Sequence, residues 1–188
     1  MGRAETRERL IEAAAHLFYE RGIHRTGVEQ VIERAHLSKP TLYQHFRSKD
    51  ELVTAVLERW AVQREEILRE ILEDPSRPPA ERLLAVFRFF EGWVQEGGFR
   101  GCGLVNAAVE IPGPEDAGRR IIARHKVWMT RALARAARQA GLSRPMVLAR
   151  SLTLLIEGAT VTSHVQQDPG APRLARSIAR RLIDEHSS

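Results

Sequence analysis

Between residues 39 and 49 the chain sets Lys39, Thr41, Tyr43, Gln44, His45, Arg47 and Lys49 close together, all of them hydrogen-bonding types. Lysine can donate to guanine acceptors or to phosphates, threonine offers a hydroxyl and a methyl to base edges, and glutamine suits adenine. Tyr43, His45, Arg47 and Lys49 suit phosphate oxygens. Leu42 and Phe46 interrupt the polar run one helical turn apart. A helix here would bury that edge and leave Lys39, Thr41, Gln44 and His45 outward, with Tyr43 at the flank. Such a face can read a major groove; a short polar face of the same composition can also be merely solvated.

Three helix starts surround this face and decide how it is held. Thr26 with Glu29 reads as a capping box, Ser38 as an N-cap ahead of Lys39 and Pro40, and Ser48 with Glu51 as a second capping box. Val28, Val31, Ile32 and Ala35 repeat at helical spacing, so the first short helix should end near Ala35. Only His36 and Leu37 remain before Ser38, which forces a sharp turn between two short helices, the geometry of a helix-turn-helix. Upstream, Leu10, Ala14, Leu17 and Phe18 form the stripe of a scaffold helix over Thr6–Arg21, closed by Gly22. Arg3, Arg7 and Arg25 are additional candidates for DNA-backbone contact, although arginines of this kind are also commonly just solvated.

The segment LSKPTLYQHFRSKDEL resembles the recognition segment of the tetracycline-repressor (TetR) family of bacterial transcription regulators, and LIEAAAHLFYERG (Leu10 to Gly22) resembles the first helix of the same domain. The likeness covers roughly the first third of the chain. His36 stands where the family usually carries glycine, so the turn must be made by a residue that tolerates a left-handed backbone less easily. The resemblance implies a DNA-binding domain over residues 1–49, its motif at 27–46, with DNA contacts from Thr26, Gly27, Ser38, Lys39, Pro40, Thr41, Tyr43, Gln44, His45 and Lys49. It also implies a helical ligand-binding and dimerisation domain over 50–188.

The rest of the chain keeps a helical period. Asp50 to Glu73 is unbroken by glycine or proline, and a helix of about 24 residues reaches roughly 36 Å, long enough to pass from one domain into the next. In the resembled family this connector shifts like a pendulum and respaces the two reading helices. DPSRPP (Asp74 to Pro79) ends it. Further helices are expected over Ala80–Glu96, Leu104–Glu110, Glu115–Ala140, from Ser143 and Pro145 to Gln167, and after DPGAP to Ile183, with breaks at Gly97–Gly98, at IPGP (Ile111 to Pro114) and at Gly141. No stretch alternates like a strand, so the fold class is all-α: an N-terminal three-helix helix-turn-helix domain joined by a long helix to an all-helical second domain.

Two stripes near the end, Leu148, Leu152, Leu155 and Ile156, then Leu174, Ile178 and Leu182, are candidates for dimerisation. Stripes of this kind bury either into their own chain or against a second copy. The resembled family pairs them in a four-helix bundle of two subunits, giving a homodimer whose reading helices lie about one DNA turn apart, roughly 34–36 Å. FRGCGLVNAAVEIP (Phe99 to Pro112) resembles a segment, FxGCxxxNAAxE, of one branch of the family, where it lies beside the ligand cavity. Its Cys102, Asn106 and Glu110 fall on one helix face, and with Phe87, Phe90, Trp93 and Trp128 they form the candidate site for an unidentified small-molecule effector. Aromatic residues at this spacing also serve as plain core, and Cys102 is either a buried thiol or one sensitised by nearby cations such as Arg100.

Composition sets the outer limits. The 188 residues are 43% hydrophobic with a formal charge of +5, a modest preference for an anionic partner. No apolar run approaches the roughly 18 residues of a membrane span. The charged MGRAETRERL start lacks a signal-peptide core, which points to the cytoplasm, as does a single cysteine. The seven histidines show no metal-ligand spacing, and there is no phosphate loop and no nucleophile elbow. An enzyme, a cofactor and a metal are therefore not expected. The expected partners are a double-stranded DNA operator and a second copy. A ligand-responsive regulator, most naturally a repressor, is the primary reading; a structural DNA binder with little sequence preference and no inducer is the alternative.

Overall fold

The computed structural model describes residues 2–111 and 113–187, so Pro112 of the IPGP break lies outside the described residues. Those residues form nine helices and no strand. In order they are α1 (Arg3–Arg21), α2 (Val28–Ala35), α3 (Lys39–His45), α4 (Lys49–Glu73), α5 (Pro79–Gln95), α6 (Gly103–Glu110), α7 (Ala117–Gln139), α8 (Pro145–Val165) and α9 (Ala171–Glu185). The elements expected from periodicity are all present, their ends displaced by a few residues. None of these helices is long and apolar enough to cross a membrane.

Local chemistry explains the boundaries. α1 stops at Gly22, whose φ of 90° suits a residue without a side chain. α2 ends at His36, which takes the left-handed conformation at φ 50° and ψ 48°, while the Leu37 amide reaches back to the Ile32 carbonyl at 2.9 Å. Histidine thus makes the turn that glycine makes in the resembled family. α3 starts as expected: the Ser38 hydroxyl accepts from the Thr41 amide at 3.3 Å. At the head of α4, Ser48 accepts from the Glu51 amide at 3.2 Å, and the Glu51 carboxylate takes the Arg47 amide, one residue earlier than a standard box would. Pro79 and Pro145 occupy first-turn positions, where the missing N–H has no helical partner anyway. Arg144, and not Ser143, sits at the cap of α8, in the left-handed region.

The Thr26–Glu29 capping box does not form. Thr26 is fully buried, and its hydroxyl turns back to donate to the Gly22 carbonyl at 2.7 Å. Gly27 is the N-cap of α2 instead, and its amide is taken by the Gln30 side chain at 2.8 Å. The cap register is one residue later because the threonine methyl and hydroxyl are used to close the α1–α2 loop.

The chain divides into two compact units. The first runs to Val62 and adds Gly103–Ala123. In it α1, α2 and α3 pack on one another, with Leu10, Ala14, Leu17, Phe18, Val31, Ala35, Leu42 and Phe46 buried. Two glycines allow close approach there: a methyl at Gly103 would meet the Trp60 ring at 3.0 Å, and one at Gly118 would meet Leu57 Cδ1 at 2.8 Å and Ile111 Cδ1 at 2.9 Å. The second unit, Gln63–Cys102 with Arg124–Ser188, packs α5, α8 and α9 around a core that includes Leu83, Phe87, Leu133, Leu148, Leu152 and Ala179.

Gly118→Ala is expected to destabilise the chain by about 1–2 kcal/mol, because buried Leu57 and Ile111 must both shift. Gly92→Ala, with open space around it in the interior of α5, should stabilise by about 0.5–1 kcal/mol. Urea unfolding of both variants checks the opposite signs.

Candidate nucleic-acid interface

α3 has only seven residues, too few to hold a helix alone in water, so tertiary burial must fix it. Leu42 and Phe46 do so, the latter under the Arg7 guanidinium at 5.1 Å from the ring centroid. With that edge buried, Lys39, Pro40, Tyr43 and Gln44 are exposed, and Thr41 and His45 are partly so. Gln44 has no hydrogen-bond partner among the described residues and is free to meet a base edge.

The other expected contact residues are partly committed within the chain. Lys39 pairs with Glu29 of α2 at 2.8 Å, an exposed bridge in which each charge stabilises the other, raising the lysine pKa and lowering the glutamate's. A phosphate would compete for that ammonium. The Ser38 and Thr41 hydroxyls lie 2.7 Å apart. Lys49 donates to the Ile23 carbonyl at 2.6 Å, which anchors its ammonium while leaving donors available. Gly27 is exposed at the start of α2, its amide held by the Gln30 side chain. The Thr26 side chain is the exception to the expected set: buried and turned inward, it builds the loop and offers no surface to DNA.

A second anchor escaped the sequence. Glu110, the last residue of α6, accepts the consecutive amides of Ile23 and His24 at 3.0 and 2.7 Å, and His24 Nε2 lies 2.9 Å from the Glu110 carbonyl oxygen, which requires the Nε2–H tautomer. The Glu110 carboxylate is thus used on the α1–α2 loop of the first unit. Asn106 is exposed on α6 in that same unit, and Cys102 immediately precedes the helix.

In the second unit the expected ligand-lining aromatics are mostly core. Phe87 and Phe90 are buried, and the Arg64 guanidinium covers Trp93 at 4.1 Å, Phe89 at 4.9 Å and Phe90 at 5.6 Å. Trp128 stacks on buried His125 with centroids 6.2 Å apart. His125 Nδ1 lies 3.1 Å from a Glu65 carboxylate oxygen. Burial foremost, then the positive charges of Lys126 and Arg64, nevertheless push its pKa down to about 4, so at neutral pH it is an uncharged donor to that carboxylate. Lys126 lies 3.8 Å from Cys102 Sγ and pairs with Glu157 at 2.6 Å.

The expected dimer stripe divides. Leu148, Leu152 and Ile156 are buried in the chain's own core, while Leu155 and Leu182 pack against it and stay partly exposed. Ile178 is half-buried and Leu174 is 61% exposed. Apart from Met146, the large apolar residues that α8 exposes are Val147, Leu154, Val161 and Val165, with Leu154 73% exposed. Their spacing of 7, 7 and 4 was visible in the sequence but was overshadowed by the richer leucine stripe beside it.

A short, buried-edge helix following a tight turn, in an all-helical chain, defines a helix-turn-helix protein. The model for bacterial regulatory proteins of the tetR family matches residues 10–56. A TetR transcriptional regulator from Streptomyces avermitilis superposes with a TM-score of 0.84 at 32% identity, covering 96% of this chain and 97% of that one. A TetR-family regulator from Streptomyces coelicolor gives 0.87 at 27% identity, covering 98% and 97%. This chain belongs to the TetR family, whose members are transcriptional regulators and not enzymes. Named relatives include the transcriptional activator FasR of Mycolicibacterium smegmatis, 39% identical over 47% of this chain and 41% of its own, and the repressor DhaR of a Mycobacterium species, 30% identical over 59% and 54%. The chain spans about half the length of these curated relatives.

Because the folded His125 pKa of about 4 lies below the ordinary 6.5, the unfolded chain binds the proton more tightly. Stability should be undiminished above pH 6.5, fall between 6.5 and about 4, and level off below as far as this group is concerned. A pH series of thermal unfolding checks this. His125→Gln should flatten that segment.

Proposed function

We propose that this chain is a homodimeric, ligand-responsive DNA-binding regulator that acts as a repressor, released from a pseudo-palindromic operator by a small molecule. The observation that carries the DNA half is α3: a helix whose apolar edge is buried and whose free edge presents Lys39, Thr41, Tyr43 and Gln44. Residues 1–49 form the reading head and 50–188 the regulatory domain, and the cell compartment is the cytoplasm. The segment FRGCGLVNAAVE supports assigning the chain to the branch of the family with that motif. Relatives named as repressors, among them DhaR and NemR, support the sign of regulation.

Gln44 and Thr41 read bases, while Lys39, Tyr43, His45 and Lys49 hold phosphates. Dimerisation uses the outward face of α8, Val147, Leu154, Val161 and Val165, together with Leu174 of α9. Gly158 is exposed with open space around it, which suits close helix approach. The effector is taken up by the second domain, beside Phe90, Trp93, Cys102 and Trp128, and its occupancy reaches the reading head through α4 and α6, with Glu110 as the last link. A coupling of about 1–3 kcal/mol changes operator affinity by roughly 5 to 150-fold, enough to set occupancy.

Selection of bound DNA from a random library tests this reading. The expected product is a two-fold symmetric site. Gln44→Ala should relax preference at one base pair per half-site at a cost of about 1–3 kcal/mol, and Tyr43→Ala should weaken all sequences alike. Leu154→Glu should yield monomers with weak operator binding. Selection of no preferred sequence would support the structural DNA binder instead.

A further inference from the structure

α7 carries seven lysines and arginines and no acidic residue, and their fates differ. Arg119 donates to the Ala108 carbonyl at 2.6 Å, Arg120 lies beside Glu115, and Lys126 is paired with Glu157. Arg131, Arg135 and Arg138 are exposed and have no hydrogen bond or ion pair among the described residues, and the same holds for Arg150 of α8. These four guanidiniums therefore carry positive charge that no ion pair among the described residues offsets.

Two of these guanidiniums, Arg131 and Arg150, line an open groove of about 600 Å³ formed by α7 and α8, a volume within the roughly 300–1,000 Å³ of small-molecule sites. Its apolar lining comes from Val127, 48% exposed, and Met146, 38% exposed. Its remaining polar groups are satisfied within the chain. Thr130 and Thr153 stand 3.1 Å apart and donate to the Lys126 and Ala149 carbonyls, and the Lys126–Glu157 pair neutralises itself. What the groove lacks is a negative charge next to an apolar chain.

We propose that this groove is a binding site for an amphipathic organic anion, whose carboxylate or phosphate head is held by Arg131 and Arg150 and whose aliphatic tail lies on Val127 and Met146. Guanidinium forks match both head groups, and methionine adapts to an unbranched chain. Among the described residues, no aromatic residue lines the groove, and binding here stands whether or not DNA release follows.

Titration calorimetry on the full chain tests it, with dodecanoate, dodecyl phosphate and dodecyltrimethylammonium, each below its micelle concentration. The two anions should bind and the cation should not; the ratio of the anions identifies the preferred head group. Arg131→Gln combined with Arg150→Gln should weaken the anions by roughly tenfold or more, with melting temperature and sedimentation coefficient unchanged. Equal binding of the cation would overturn the proposal, as would undiminished anion binding by the double variant. A double variant that sediments as a smaller species would also overturn it, because the groove would then belong to the contact between two copies.

Discussion

The pair of hydrogen bonds from the Ile23 and His24 amides to Glu110 is the constraint on which the reading head depends. The loop between α1 and α2 carries backbone donors that no helix satisfies, and a carboxylate presented by α6 takes two of them with charge-assisted bonds. From the other side Lys49 holds the carbonyl of the same residue, Ile23, and Thr26 closes the loop from within. One short stretch thus ties α1, the start of α4 and the end of α6 to the point from which α2 and α3 are aimed. Gly22 belongs to this arrangement: a side chain there would lie 3.0 Å from the Glu110 carboxylate as well as requiring a positive φ.

This arrangement answers how so small a reading helix can be both precise and adjustable. Seven residues gain little from their own hydrogen bonds, so the orientation of α3 is inherited from Leu42 and Phe46 and from the loop that positions α2. Orientation held by a few polar contacts can shift at modest cost, whereas orientation held only by a packed core cannot. The compact unit that contains the head includes α6 and the first turns of α7, segments distant in sequence from the helix they steady.

The number and order of the helices were legible in the sequence because their periods are long and their breaks are marked by Gly22, the prolines at 78 and 79, Gly141 and Pro145. The buried edge of α3 was legible too, since Leu42 and Phe46 are one turn apart among polar residues. The errors came where one residue type serves two ends. Thr26 reads as a cap, yet its methyl and hydroxyl are worth more inside the loop. Leu148, Leu152 and Ile156 read as an interface, yet they are buried in the chain's own core, while Leu154 on the opposite face of the same helix is exposed with Val147, Val161 and Val165. Glu110 stands out in the sequence only as part of the FxGCxxxNAAxE segment. Its partners, 86 and 87 residues away, are main-chain amides, which carry no sequence signal at all.

The claim that α6 sets the pose of the reading head through Glu110 is tested most directly by amide hydrogen exchange resolved at single residues. In the native chain the Ile23 and His24 amides should exchange slowly. In Glu110→Ala they should accelerate by about tenfold or more, as expected for losing a charge-assisted acceptor, while the Leu42 amide, bonded to the Ser38 carbonyl within α3, stays protected and operator affinity falls. Equal exchange of Ile23 and His24 in both proteins, or unchanged operator affinity once protection is lost, would contradict the account.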